Sequence, residues 1–154
     1  MDSIWRKITH NPERLALSGH IQTEAAVIGG GMAGILTAFF LQEAGVKTIV
    51  LEAGHVGEGQ TGSTTAKITA QHGLIYDGLI HSQGKEKAAL YARANSRAVE
   101  DYRSLVQSRN IQCRWLDCPA YLYTRCKRDV VENEVRACDC LLYTSPSPRD
   151  RTRS

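Results

Sequence analysis

The chain has 154 residues and a formal net charge of +3, and 42% of its residues are hydrophobic and 23% charged. This length suits one ordinary domain, and the composition is typical of a globular protein. The last six residues carry two of the three net charges, so a basic nucleic-acid-binding surface is not expected. No apolar run approaches the ~20 residues needed to cross a bilayer, and the first residues lack the apolar region of a secretory signal. We therefore expect a cytoplasmic protein without a membrane span.

The elements predicted at the start of the chain form one βαβ unit. Residues 1–23 are an irregular lead-in. The short apolar run Glu24–Ile28 predicts a strand buried on both faces, as in a parallel sheet. Helical spacing continues over Met32–Ala44, and Gly45 suits the position after a helix end. A second buried strand is predicted over Lys47–Leu51.

A glycine-rich turn joins the first strand to the helix. Its sequence, Gly-Gly-Gly-Met-Ala-Gly, fits the G-x-G-x-x-G pattern of dinucleotide-binding sites. Gly29 allows a tight turn, Gly31 lets a pyrophosphate approach the backbone, and Gly34 lets the helix pack closely. The exposed amides of Met32 and Ala33 at the helix N-terminus are then expected to face the phosphates. The alternative is a glycine-rich turn that binds nothing.

An acidic residue follows the second strand. Glu52 lies 18 residues beyond Gly34, where its carboxylate can accept hydrogen bonds from both hydroxyls of an adenosine ribose. A 2′-phosphate would meet a like charge there, which disfavours NADP. FAD and NAD share the ADP portion, so this pattern alone does not choose between them.

The segment after Glu52 favours FAD. Residues 53–73 are rich in Gly, Ser and Thr, and ordered loops of this length are usually functional. Small hydroxyl side chains and closely spaced amides suit a loop that runs along a pyrophosphate towards a flavin ring, whereas NAD-binding domains commonly have shorter loops here. An NAD-linked dehydrogenase and a non-catalytic nucleotide-binding fragment are the alternatives.

Two stretches within residues 26–73, VIGGGMAGILTAFFLQEAGVKTIVLEAG and GQTGSTTAKITAQHG, resemble the FAD-dependent oxidoreductases of the D-amino-acid oxidase (DAO) superfamily. The similarity is strongest to the bacterial branch that often carries a C-terminal Rieske domain. It implies noncovalent FAD, because Ala66 stands where the sarcosine and dimethylglycine dehydrogenases have a histidine bonded to the flavin. The motif and the resemblance together predict these cofactor-binding residues: Gly29, Gly31, Met32, Ala33, Gly34, Glu52, Ala53, Thr61, Thr64, Thr65 and Ala66.

The resemblance also implies an activity. Members of the family transfer a hydride from a C–H bond beside an amine to the flavin, so the expected substrate is a small-molecule amine or amino acid. The flavin carries this chemistry while the protein positions it. No catalytic residue and no metal site is assigned in this chain, and a Rieske 2Fe–2S cluster is expected only in a full-length parent.

Beyond the loop, the sequence predicts a mixed region of helices and strands. Helical spacing covers Lys85–Gln107, two short strands are predicted over Ile111–Leu116 and Ala120–Thr124, and a further helix over Asp129–Ala137. The predicted fold class is α/β: a truncated, Rossmann-like FAD-binding βαβ unit with the start of a substrate-side α+β region.

The predicted domains follow these segments. The FAD-binding βαβ unit and its loop occupy residues 24–84, and the substrate-side region occupies residues 85–139. Residues 140–154, CLLYTSPSPRDRTRS, resemble a translated DNA sequencing adapter of the transposase type. The alternative is a natural Ser/Pro/Arg linker, disordered for lack of apolar residues. On the adapter interpretation, the chain is an inactive fragment whose parent gene encodes an enzyme.

Overall fold

The computed structural model of the chain describes Trp5, Pro12 and residues 14–142. The contacts within the chain form two compact units, residues 1–67 and residues 68–154. Eleven of the 23 lead-in residues and most of the expected tail lie outside the described residues, although the first three tail residues belong to a helix. The domain boundaries given above stay predictions.

The first unit contains the predicted βαβ arrangement. β1 (Ala25–Ile28) and β2 (Thr48–Leu51) form a two-stranded parallel sheet, and α1 (Met32–Glu43) connects them. The register of the sheet places Val27 opposite Val50. An α/β arrangement with a parallel sheet is therefore confirmed for this unit.

A Schellman motif ends α1. Gly45 has a left-handed φ of 81°, which a glycine adopts without steric cost. Its amide donates to the carbonyl of Gln42 at 2.9 Å, and the amide of Val46 donates to the carbonyl of Leu41 at 2.9 Å. These two hydrogen bonds satisfy carbonyls that a helix end leaves unpaired, and β2 begins two residues later.

The burial of the sheet differs from the prediction. Val27 is half-buried and lies beside Gly34 of α1, whereas Ala26 is exposed and Ile28 is 78% exposed. Successive side chains of a strand point to opposite faces. The expectation that β1 is buried on both faces is wrong for the described residues, because α1 covers one face and no described element of this unit covers the other.

Three helices form the second unit: α2 (Tyr76–Gln83), α3 (Lys85–Ser108) and α4 (Arg128–Leu142). Both helices predicted for this region are confirmed, and α4 extends further at its C-terminal end. α2 has no counterpart in the sequence-based prediction. Gly84, with a φ of 82°, joins α2 to α3. No described helix has both the length and the apolar character needed to span a bilayer.

The core of the second unit surrounds a buried tyrosine. Its buried apolar residues are Tyr76, Ala88, Ala92, Ala137 and Leu141. Tyr76 has no exposed surface, and the small alanines allow α3 and α4 to approach its ring. Burial raises the pKa of the Tyr76 hydroxyl, because an apolar environment disfavours the phenolate.

The two strands predicted over Ile111–Leu116 and Ala120–Thr124 are wrong, since neither segment forms a strand. Arg114 has a left-handed φ of 54°, which interrupts an extended chain. Asp117 bonds instead to α3, where Arg103 donates to both of its carboxylate oxygens at 2.8 and 2.6 Å. A strand also needs a neighbour to pair with, and the described residues place none beside this segment. The described part of the second unit is helical and not α+β.

Candidate nucleotide-binding site

The glycine-rich turn begins at the end of the sheet. Gly29 has a φ of 101°, which lies in the region that favours glycine. Its amide donates to the carbonyl of Leu51 at 2.7 Å. This hydrogen bond continues the strand pairing one residue past β1, so the turn starts beside the end of β2.

Gly34 determines how closely α1 approaches that turn. A Cβ on Gly34 would lie 1.9 Å from the carbonyl oxygen of Gly29, a separation that no side chain tolerates. Only glycine permits this contact between the first turn of α1 and the backbone at the end of β1. The contact is the close packing expected of the last glycine in the motif.

Gly31 leaves open space beside the backbone. Among the described residues, a Cβ on Gly31 would meet the hydroxyl of Thr61 alone, at 3.4 Å, which is ordinary van der Waals contact. Packing within this part of the chain therefore does not require a glycine at position 31. A ligand that approaches the backbone closely would require one.

Gly30, the middle glycine, has a packing role that the motif does not specify. Its amide donates to Glu52 Oε2 at 2.5 Å, and its carbonyl accepts from the amide of Gly57 at 2.9 Å. A Cβ there would lie 3.1 Å from the Val56 side chain and 3.2 Å from that of Glu52. The turn, the end of β2 and the following loop thus meet at this buried residue. Position 30 is a variable position of G-x-G-x-x-G, so the pattern gave no signal for it.

Glu52 lies at the mouth of the turn. Its two oxygens accept from two backbone amides, that of Gly30 and that of Gly54 at 2.9 Å. These amides, Gly54 first and Gly30 next, hold the pKa of the Glu52 carboxyl below its ordinary value of 4.5. The residue is exposed and a carboxylate has about four acceptor positions, so Glu52 can accept further hydrogen bonds from hydroxyl groups.

The first amides of α1 differ in their partners. The amide of Met32 donates to the hydroxyl of Thr61 at 2.9 Å, so it is not the exposed donor that the sequence suggested. The amide of Ala33 donates to none of the described residues. Unpaired amides at a helix N-terminus attract anions. Thr61 is thus a partner of α1, and among the described residues nothing occupies the Ala33 amide, which remains available as a donor.

The loop after β2 carries the remaining predicted residues. Ala53 is exposed directly after Glu52, and a short 3₁₀ helix (Thr61–Ser63) places its first residue beside the start of α1. Exposed residues follow this helix in the order Thr64, Thr65 and Ala66. Within the described part of the chain, no hydrogen bond joins these three residues to the glycine turn. The structure therefore brings Thr61 and Glu52 to the turn and leaves residues 64–66 outside it.

Comparison with known proteins identifies relatives of the chain. YhfW of Bacillus subtilis (strain 168), whose name describes a Rieske 2Fe-2S iron-sulfur protein, is 39% identical over 123 residues, which are 80% of this chain and 24% of YhfW. Gamma-glutamylputrescine oxidoreductase of Escherichia coli (strain K12) is 28% identical over 97 residues, which are 63% of this chain and 23% of that protein. The chain thus spans about a quarter of the length of these curated relatives. No solved structure shows a significant match.

The family match covers most of the chain. Residues 24–146 match the family described as FAD dependent oxidoreductase, DAO. This range includes the sheet, the glycine turn, Glu52 and the three helices of the second unit. It also extends into residues 140–154, which were expected to form a tail. The chain belongs to the DAO family of FAD-dependent oxidoreductases.

Proposed function

We propose that the first unit of the chain is a Rossmann-like unit that binds the ADP portion of FAD. One observation carries the proposal: the Glu52 carboxylate is bonded to the amide of Gly30, in the turn where Gly31 leaves the backbone open. The diphosphate would lie against Gly31 and the available amide of Ala33, while ribose hydroxyls would donate to Glu52. Gly29 and Gly34 would give the turn its shape.

Membership in an FAD-dependent family supports FAD as the cofactor. In this proposal Met32 and Thr61 hold the start of α1 and the loop together, and Ala53 and residues 64–66 extend the site along the cofactor. Ala66 has no side-chain nucleophile, so the flavin would be held noncovalently there. An NAD-linked dehydrogenase and a non-catalytic nucleotide-binding fragment are the alternatives, and the binding experiment below distinguishes them.

For the full-length parent, we propose the oxidation of a small amine or amino acid. The relative from Escherichia coli is named for an amine substrate, gamma-glutamylputrescine, and its identity to this chain is 28%. Bound FAD would accept the hydride from the carbon beside the nitrogen. A Rieske cluster would belong to the parent alone, by analogy with the name of YhfW. This chain would contribute cofactor binding, and we assign none of its residues a catalytic role.

Binding of FAD to the 154-residue chain tests the proposal. Isothermal titration calorimetry should detect binding of both FAD and ADP. Gly31→Val should abolish binding of both, because a branched side chain would fill the space against which the diphosphate lies. Tighter binding of NAD than of FAD would support the NAD-linked alternative, and binding of ADP with no preference for FAD would support the non-catalytic one.

A glycine in the same unit supplies the matched control. A Cβ on Gly59 would have open space around it, with no described atom within 4 Å, and Gly59 lies outside the turn. Gly59→Val should therefore retain the affinity of the unchanged chain for both ligands. Gly31→Ala should have the same far-ultraviolet circular dichroism as the unchanged chain, since its Cβ would make only ordinary contact. Its affinity for ADP should nevertheless be lower than that of the unchanged chain. Unchanged binding by both Gly31 variants would contradict the proposed cradle.

A further inference from the structure

An indole from the lead-in segment holds the loop of the proposed FAD site. Trp5 Nε1 donates to the carbonyl of Thr64 at 2.8 Å, although the two residues are 59 positions apart in the sequence. Thr64 follows the 3₁₀ helix and has an extended backbone, with φ −79° and ψ 167°. The other end of that helix is held by the hydrogen bond between the Met32 amide and the Thr61 hydroxyl. The loop is therefore fixed on both sides of the 3₁₀ helix.

Holding a carbonyl also orients the amide of the same peptide bond. The peptide between Thr64 and Thr65 is trans, so its C=O and N–H are coplanar and point in opposite directions. The N–H of Thr65 therefore points away from the indole of Trp5. The amides of Ser63 and Ala66 already donate within the loop. The Thr65 amide has no partner among the residues that the structure describes.

We propose that Trp5 is a positioning residue: by holding the Thr64 carbonyl, it orients the N–H of Thr65 towards FAD. This inference rests on the proposed FAD site and deepens it. The glycine turn and Glu52 would hold the ADP portion, whereas residues 64–66 make no hydrogen bond to that turn within the described chain. The Thr65 amide would then serve the part of FAD beyond the ADP. Loss of the Trp5 indole should weaken the binding of FAD and leave the binding of ADP unchanged.

Calorimetric titration of the full chain with FAD and with ADP tests this role. Trp5→Phe keeps an aromatic ring and removes the N–H donor, so the affinity for FAD should fall about fivefold, as expected for one neutral hydrogen bond. Its affinity for ADP should not change. The chain has two tryptophans, and the indole of Trp115 donates to Asp117 in the second unit. Trp115→Phe is therefore the matched control and should alter neither affinity.

A second variant separates positioning from general structural support. Thr65→Pro removes the N–H itself. Thr64 already has the extended backbone that a residue before proline prefers. Thr65→Pro should lower the affinity for FAD to a similar extent, and Trp5→Phe should add no further loss in that background. Equal losses for FAD and ADP, additive losses in the double variant, or an unchanged affinity of Trp5→Phe for FAD would overturn the inference alone. Failure of the unchanged chain to bind either ligand would overturn the proposed function as well.

Discussion

A single carboxylate, that of Glu52, holds the backbone at the end of β2 through hydrogen bonds within the chain itself. Its oxygens accept from the amides of Gly30 and Gly54, which joins the glycine turn to the loop that follows the sheet. The same amides lower the pKa of the carboxyl, because they stabilise its ionised form. The structural task and the proposed binding task therefore depend on the same negative charge.

Glu52→Gln should show this dependence on charge. The pKa of Glu52 is lowered on folding. Its ionised form therefore stabilises the fold at pH values above the ordinary pKa of 4.5. That stabilisation is lost as the pH falls through the lowered pKa. The thermal midpoint of the unchanged chain should exceed that of the variant at neutral pH, and the difference should shrink as the pH falls below the ordinary pKa of 4.5. The variant should also bind ADP roughly tenfold more weakly, as expected for charge-assisted hydrogen bonds. A midpoint difference that stays constant across this pH range would contradict the role of the charge.

Gly34→Ala should destabilise the first unit. The new Cβ would lie 1.9 Å from the Gly29 carbonyl oxygen, so α1 must move away from the turn, at a cost of about 1–3 kcal/mol. Urea unfolding measures the loss. Gly78, inside α2, has no described atom within 4 Å of a Cβ, and Gly78→Ala should be neutral or stabilising by about 0.5–1 kcal/mol. Similar effects of the two substitutions would show that the close approach of α1 is not needed.

Among the elements, α2 is capped at its N-terminus by a carboxylate that belongs to another helix. Glu134 of α4 is 2% exposed and accepts from three successive amides, those of Ile75, Tyr76 and Asp77, at 3.0, 2.9 and 3.0 Å. No side chain of α2 itself caps its N-terminus. Glu134 therefore satisfies the amides that a helix start leaves unpaired, and it does so from nearly 60 residues away.

Glu134→Ala should unfold the second unit more easily. The substitution removes the acceptor of three amides at a site that excludes water, which should lower the free energy of unfolding by about 2–4 kcal/mol. Denaturant titration followed by circular dichroism measures this change. Glu132→Ala on the same helix removes an exposed carboxylate paired with Arg128 and should cost less than about 0.5 kcal/mol. Equal effects of the two variants would contradict the capping role of Glu134.

At the scale of the whole molecule, the described residues leave much apolar surface uncovered. Large apolar side chains are exposed in both units: Ile28, Phe40, Leu116, Tyr121 and Tyr123. Residues of this kind are more often covered in a folded domain. Among the described residues, these side chains therefore form apolar surface that no other part of the described chain covers.

Ile28 offers a direct test of that uncovered surface. The chain should bind the dye ANS, and Ile28→Thr should lower the dye fluorescence without lowering the thermal midpoint, because Ile28 is 78% exposed. Val27→Thr, one residue earlier on the face that meets α1, should instead lower the midpoint. A fall in midpoint for Ile28→Thr as large as that for Val27→Thr would show that the second face of β1 is covered.

Local sequence patterns were enough to predict the βαβ order, the end of α1 at Gly45 and the position of Glu52 after β2. These features depend on neighbours a few residues apart: apolar runs, a glycine that accepts a left-handed φ, and a short fixed spacing. The helices α3 and α4 were predictable for the same reason, since their periodicity lies within one element.

Tertiary structure alone decided the remaining features, because each joins residues that are distant in sequence. The hydrogen bond from Trp5 to Thr64 and the cap that Glu134 places on α2 leave no local pattern. The strands expected over residues 111–124 failed on the same ground: alternation favours an extended chain, but a strand forms only where another strand lies beside it.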